Sequence, residues 1–117
     1  MQPFRKLDVW QKAHELTLRI YRTTETFPKE ETFGLSVQLR RSAISIPMKI
    51  VEGCGQNETS EFTRCLGQAR GTGVELEYLL LLSRDLGFMK PNDHDALQAQ
   101  VIEARKMLSG LMKTASV

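Results

Sequence analysis

Long apolar runs are missing from this sequence: the longest uninterrupted aliphatic stretch is Leu79–Leu82, against the roughly 20 residues that a helix needs to cross a bilayer. No membrane span is expected. Proline and glycine are sparse, 4 and 8 of 117 residues, so the composition is neither that of a disordered chain nor that of a fibrous repeat. A large charge of either sign is also missing, and the formal net charge of +2 does not by itself point to nucleic acid or an anionic membrane. The first nine residues carry Arg5, Lys6 and Asp8 and have no apolar run of signal-peptide length, which makes the cytoplasm the default location. In that compartment Cys54 and Cys65 are expected to be reduced and structural. Nothing resembling a repeat or a low-complexity linker divides residues 1–117, which are read as one domain.

Helical periodicity is present throughout. Trp10, Ala13, Leu16, Ile20 and Tyr21 recur every three or four positions, predicting a helix over Leu7–Thr26 with that stripe in the core. Phe27-Pro28 ends it, because proline restricts the residue before it and has no backbone donor. From Glu31 two apolar faces run side by side: Leu35, Leu39, Ala43, Ile46 and Ile50 on one, Val37, Ile44, Met48 and Val51 on the other. Two faces require two packing partners. A strand over Ile44–Val51 is disfavoured because Pro47 would break its ladder, so a helix bent at Pro47 is expected, stopped by the left-handed tolerance of Gly53 and Gly55.

Asn57–Ser60 supplies capping side chains for a third and longest helix, marked by Phe62, Cys65, Leu66, Ala69, Leu76, Leu80 and Ser83 and ending near Gly87. Leu79, Leu81, Leu82 and Leu86 lie off that stripe, so a lone protomer should leave apolar surface exposed. Pro91, Asn92 and Asp93 start a fourth helix whose Leu97, Val101, Ala104, Leu108 and Leu111 form a coiled-coil-like seam. The tail after Lys113 is expected to fray. Four helices with short connections predict an all-α, mostly antiparallel four-helix bundle.

Gly67, Gly71 and Gly73 sit inside the third helix, where each costs about 1 kcal/mol relative to alanine. Close helix packing is the favoured compensation, with a ligand or a local break as alternatives.

Catalytic chemistry finds little footing. Cys54, Cys65, His14, His94 and the carboxylates Glu52, Glu75 and Glu77 form no recognised catalytic or metal spacing, and no Glu-x-x-His accompanies the carboxylates. His94, between Asp93 and Asp95, fits the charged first turn of its helix. A non-enzymatic protein without cofactor or metal is expected. Basic residues are more suggestive: Thr32–Val51 holds Arg40, Arg41 and Lys49 and no acidic residue, and Met1–Arg22 holds Arg5, Lys6, Lys12, Arg19 and Arg22 against Asp8 and Glu15. Arg5, Lys6, Arg19, Arg22, Arg40, Arg41 and Lys49 are therefore the candidate phosphate contacts. The competing reading makes Arg40 and Arg41 structural, paired to Glu52, Glu75 or Glu77, and makes the first helix's charges a solvated face.

A resemblance is carried by Phe4-x-x-Leu7-x-Val9-Trp10, Phe27-Pro28-x-Glu30, Gln38-x-Arg40-Arg41-Ser42-Ala43-x-Ser45-Ile46-Pro47, Glu52-Gly53 and Glu75-Leu76-Glu77. In this order, over nearly the whole chain, they resemble the bacterial four-helix bundle family that includes proteins encoded in intervening sequences of large-subunit ribosomal RNA genes. The resemblance implies a protomer that assembles into a homopentamer. Relatives in that family include accessory variability proteins of diversity-generating retroelements, which bind nucleic acid and a reverse transcriptase, so RNA or DNA and a protein partner are both implied. The chain departs from the family pattern at Lys49, where asparagine is usual, and at Gly71-Thr72, where Gly-Ser is usual. Two functional expectations follow: an oligomeric bundle that binds RNA or DNA through a basic surface, or an oligomeric protein-interaction scaffold that binds neither.

Overall fold

The computed structural model describes residues 2–31 and 34–115. After a short 3₁₀ turn at Phe4–Lys6, helix α1 spans Asp8–Thr24, and a second 3₁₀ turn at Lys29–Glu31 leads to α2 (Leu35–Cys54). Helices α3 (Thr59–Asp85) and α4 (Pro91–Ala115) complete the chain, with no strand among the described residues. Thr32 and Phe33, where the acid-free stretch begins, and Ser116 and Val117, in the tail expected to fray, lie outside the described residues.

Each helix packs on its sequence neighbour, and α1 closes the ring against α4, which leaves α1 and α3 diagonal, with no Cα atoms within 8 Å of each other among the described residues. The directions are antiparallel. Gln2, Thr17 and Tyr21 meet Cys54, Ala43 and Arg40 in reverse order, and Gly73, Arg70 and Gly67 lie against Arg105, Ser109 and Met112. The core takes Leu16 and Ile20 from α1, Leu39, Ile46 and Ile50 from α2, Leu66, Leu76 and Leu80 from α3, and Leu97, Val101 and Leu108 from α4, all fully buried. These are the inward positions that the periodicity marks, and each contributes about 1.5–3 kcal/mol by leaving water.

The helix expected through Pro47 in place of a strand is present as α2, while several helix ends differ from the sequence reading. Pro47 cannot donate to the Ala43 carbonyl four residues back, and that carbonyl instead accepts from Thr17 Oγ1 of α1 at 3.1 Å. Nor does Gly53 stop the helix. It is buried where α2 meets α3, and a Cβ there would lie 3.0 Å from Cys65 Cβ and 3.2 Å from Phe62 Cδ1, so close helix approach is what requires it. Gly55 follows the last turn with φ −82°, not in the left-handed region, and the one left-handed glycine is Gly87 (φ 80°) beyond α3. The capping expected from Asn57–Ser60 is missing: Glu58 precedes α3 and makes no side-chain cap. Phe27, buried beside Phe88 at a 5.8 Å ring separation, anchors the turn after α1.

Candidate functional site

The seven basic residues proposed from sequence differ in what holds them. Arg40 is held inside the protomer: its Nε donates to Thr24 Oγ1 at 2.8 Å, its Nη2 to the Tyr21 carbonyl at 3.2 Å, and its guanidinium lies 4.7 Å from the Tyr21 ring centroid. Its neighbour Arg41 is exposed and has no partner among the described residues. Lys49 is half-buried and paired to Glu52 one turn on, at 3.0 Å. Arg19 donates to Gln100 of α4 at 3.3 Å, beside the Lys12–Glu103 ion pair at 3.4 Å. Arg5, Lys6 and Arg22 are exposed, Arg5 stacking on Phe4 at 5.3 Å. The structural alternative thus describes Arg40, although its partners are a hydroxyl, a carbonyl and a ring in place of the expected carboxylates.

The aromatic residues assigned to the core are surface-facing in part. Tyr21 is exposed, and Trp10 is half-buried, stacked on the exposed His14 at 5.1 Å and edge-on to Phe4 at 4.9 Å. Both flank the α1–α2 seam, where the core is already filled by Ala13, Leu16 and Ile20.

Only one of the three glycines in α3 is enforced by close packing within the protomer. A Cβ on Gly73 would lie 2.9 Å from Cγ of Arg105, whose stem crosses α3 there. At Gly67 it would meet Met112 Cε at 3.4 Å, an ordinary contact, and at Gly71 it would meet nothing within 4 Å. Gly71 therefore carries its helix-propensity cost with no close packing to offset it among the described residues.

Of the second apolar face of α2, Val37 is half-buried and the rest stays exposed among the described residues. Ile44, Met48 and Val51 are exposed, Met48 to 61%. Arg40 lies over Tyr21, so these positions, one to three turns farther along α2, line the same α1–α2 seam as the exposed Leu18 and Tyr21. Away from this seam, Gly71, Val74, Tyr78 and Leu81 recur at helical spacing along the outer edge of α3, all exposed, Tyr78 to 61%. Leu86 is exposed too, whereas Leu79 and Leu82 pack against the core. Because α3 is diagonal to α1, the two apolar surfaces are on different sides of the bundle.

Residues with chemical potential are dispersed. Glu52 pairs with Lys49 and Glu77 with Arg105, and among the described residues no group of three or more His, Cys, Asp or Glu is placed to hold a metal. His94 is buried to 3%, with Nδ1 3.1 Å from Asp95 Oδ1, so it is more enclosed than a charged first turn suggests. Cys54 and Cys65 are buried free thiols, and burial pushes the Cys54 thiol above its usual pKa. No helix among the described residues is long and apolar enough to cross a membrane.

An antiparallel four-helix protomer with two uncovered apolar surfaces is the class of protein these features define. Residues 5–110 match the family model described as 23S rRNA-intervening sequence protein, and the chain belongs to that family. Among solved structures it is similar to a protein of unknown function from the S23 ribosomal protein family of Bacteroides thetaiotaomicron, with 24% identity, a TM-score of 0.83, and coverage of 90% of this chain and 95% of that one. That likeness concerns the fold. No curated protein matches the chain.

Proposed function

We propose that this protein is a non-enzymatic homo-oligomer that binds RNA or DNA through a basic surface repeated around a closed ring. The observation that carries the reading is the pair of unlike apolar surfaces, Leu18, Tyr21, Ile44, Met48 and Val51 along the α1–α2 seam and Val74, Tyr78 and Leu81 along α3. A surface that docks onto a different surface of the next copy makes a heterologous contact, which closes into a ring when the rotation allows. The uncompensated Gly71 beside Val74 supports close approach of another helix at that edge. Five copies is the number that the family resemblance implies.

Symmetry then multiplies a weak basic surface. Arg5, Lys6, Arg19, Arg22 and Arg41 are all exposed, and a ring presents each of them once per copy to a single polymer, raising affinity through effective concentration. The rival reading, a ring that binds only protein, draws support from the internal engagement of Arg40 and Lys49. Light scattering combined with binding to a short structured RNA and a duplex DNA over a salt series separates the two. The nucleic-acid reading expects an oligomer whose affinity falls steeply with salt; an oligomer that ignores both polymers at low salt leaves the protein scaffold.

A further inference from the structure

Two stretches far apart in sequence bring basic residues together across α3 and α4. From Phe62 to Val74 on α3 and from Ala104 to Ala115 on α4 there is no aspartate or glutamate; of their basic residues Arg64 is paired to Glu61 at 3.0 Å, which leaves Arg70, Arg105, Lys106 and Lys113. The antiparallel register lays one against the other: Gly73 faces Arg105, Arg70 reaches Ser109, and Gly67 faces Met112.

Between them is an open cleft of about 230 Å³ lined by Arg70, Ile102, Arg105, Lys106 and Ser109. Its geometry is set from both sides. The missing Cβ at Gly73 lets the Arg105 stem lie on α3, where Nη1 donates to Glu77 Oε2 and fixes the guanidinium. That leaves Nε of Arg105 as a buried donor with no hydrogen-bond partner among the described residues. Arg70 Nη1 donates to Ser109 Oγ at 3.2 Å, so the serine accepts from arginine and keeps its own hydroxyl hydrogen to donate. Lys106 is exposed and has no ion-pair partner among the described residues; the acidic residue one turn before it, Glu103, is taken by Lys12.

We propose that this α3–α4 cleft is a phosphate-binding site for a nucleic-acid strand, with Arg70, Lys106 and Ser109 as donors to phosphate oxygens and Arg105 as a fixed positive edge. Donors of this kind to an anionic oxygen form the stronger, charge-assisted class of hydrogen bond. Glu77 neutralises Arg105, so Arg70 and Lys106 supply the net charge that attracts the strand. The assignment rests on the nucleic-acid reading above and places its main contact on α3 and α4, not on the α2 stretch that is acid-free in sequence.

The test is fluorescence anisotropy of a labelled 20-nucleotide single-stranded RNA against full-length protein over a salt series, with sedimentation velocity confirming the same assembly in each variant. Arg70→Gln/Lys106→Gln is expected to weaken binding and to reduce the slope of log affinity against log salt by about 1.4 per protomer engaged, from ~0.7 for each phosphate contact on a single strand. The charge-preserving Arg70→Lys/Lys106→Arg is expected to retain the slope. If wild type binds and Arg70→Gln/Lys106→Gln keeps the wild-type slope, the cleft assignment is overturned while the nucleic-acid reading stands. If wild type does not bind at low salt, both fall.

Discussion

The hydroxyl of Thr17 on α1 donates to the carbonyl of Ala43 on α2 at 3.1 Å, sharing its hydrogen with the Ala13 carbonyl at 2.8 Å. Ala43 is the residue four before Pro47 and so lacks the backbone donor that an ordinary residue would supply. A side chain of one helix thereby repairs the hydrogen-bond ladder of its neighbour, and α1 and α2 are locked in one register. Thr17→Val is expected to cost about 1–3 kcal/mol, the penalty for a buried polar group left unmade. In a Pro47→Ala background the new N–H at position 47 serves Ala43, and the cost of Thr17→Val should shrink. Urea denaturation of the four proteins in this cycle measures the coupling; equal costs in both backgrounds would dismiss it.

Arg40 and Arg41 are adjacent in sequence and unequal in structure. Arg40→Ala removes donors from Thr24 and Tyr21 and a cation from the Tyr21 ring, with an expected loss of about 1–2 kcal/mol. Arg41→Ala, at an exposed position without a partner among the described residues, should stay within about 0.5 kcal/mol of wild type. Comparing their urea midpoints tests the distinction.

Glycine substitutions in α3 should likewise split. At Gly73 an added methyl meets Cγ of Arg105, whose far end is held by Glu77, so the overpacking of about 1–3 kcal/mol outweighs the gain of about 1 kcal/mol in helix propensity. Gly73→Ala is expected to destabilise by about 1 kcal/mol net. Gly71→Ala meets nothing within 4 Å among the described residues and should stabilise the protomer by up to ~1 kcal/mol, a gain visible under conditions where the protein is monomeric.

Burial of the Cys54 thiol gives a pH dependence of known sign. Its folded-state pKa lies above the unfolded value, so the native state keeps a proton that the unfolded state releases. The stabilisation is fully present below the unfolded pKa of about 8.5 and is lost as pH rises from there through the raised folded value. Urea midpoints between pH 7 and 10 should fall less steeply in Cys54→Ala than in wild type; parallel curves would show that Cys54 does not contribute.

The four helices and most of their core are legible from sequence because the inward positions, such as Leu16, Leu39, Leu76 and Leu97, recur at the helical period. Periodicity alone could not place Trp10 and Tyr21, since it reports which residues share a face and not how wide the buried part of that face is. The same limit made Gly53 look like a helix stop, when its role is fixed by Phe62 and Cys65 across the α2–α3 contact. For the candidate site the obstacle is distance along the chain. Arg40, Arg41 and Lys49 form a local run that the fold divides, while Arg70 and Lys106 are 36 positions apart and become neighbours only through antiparallel pairing.

Docking of the α1–α2 seam of one copy on the α3 edge of the next is tested by sedimentation velocity of Met48→Glu and Tyr78→Glu, each alone and then mixed in equal amounts. Each variant keeps one intact surface, so wild type is expected to be larger than a dimer, either variant alone a monomer, and the mixture a heterodimer that grows no further. A wild type that is monomeric at micromolar concentration, or a single variant that still assembles to wild-type size, would rule out this docking.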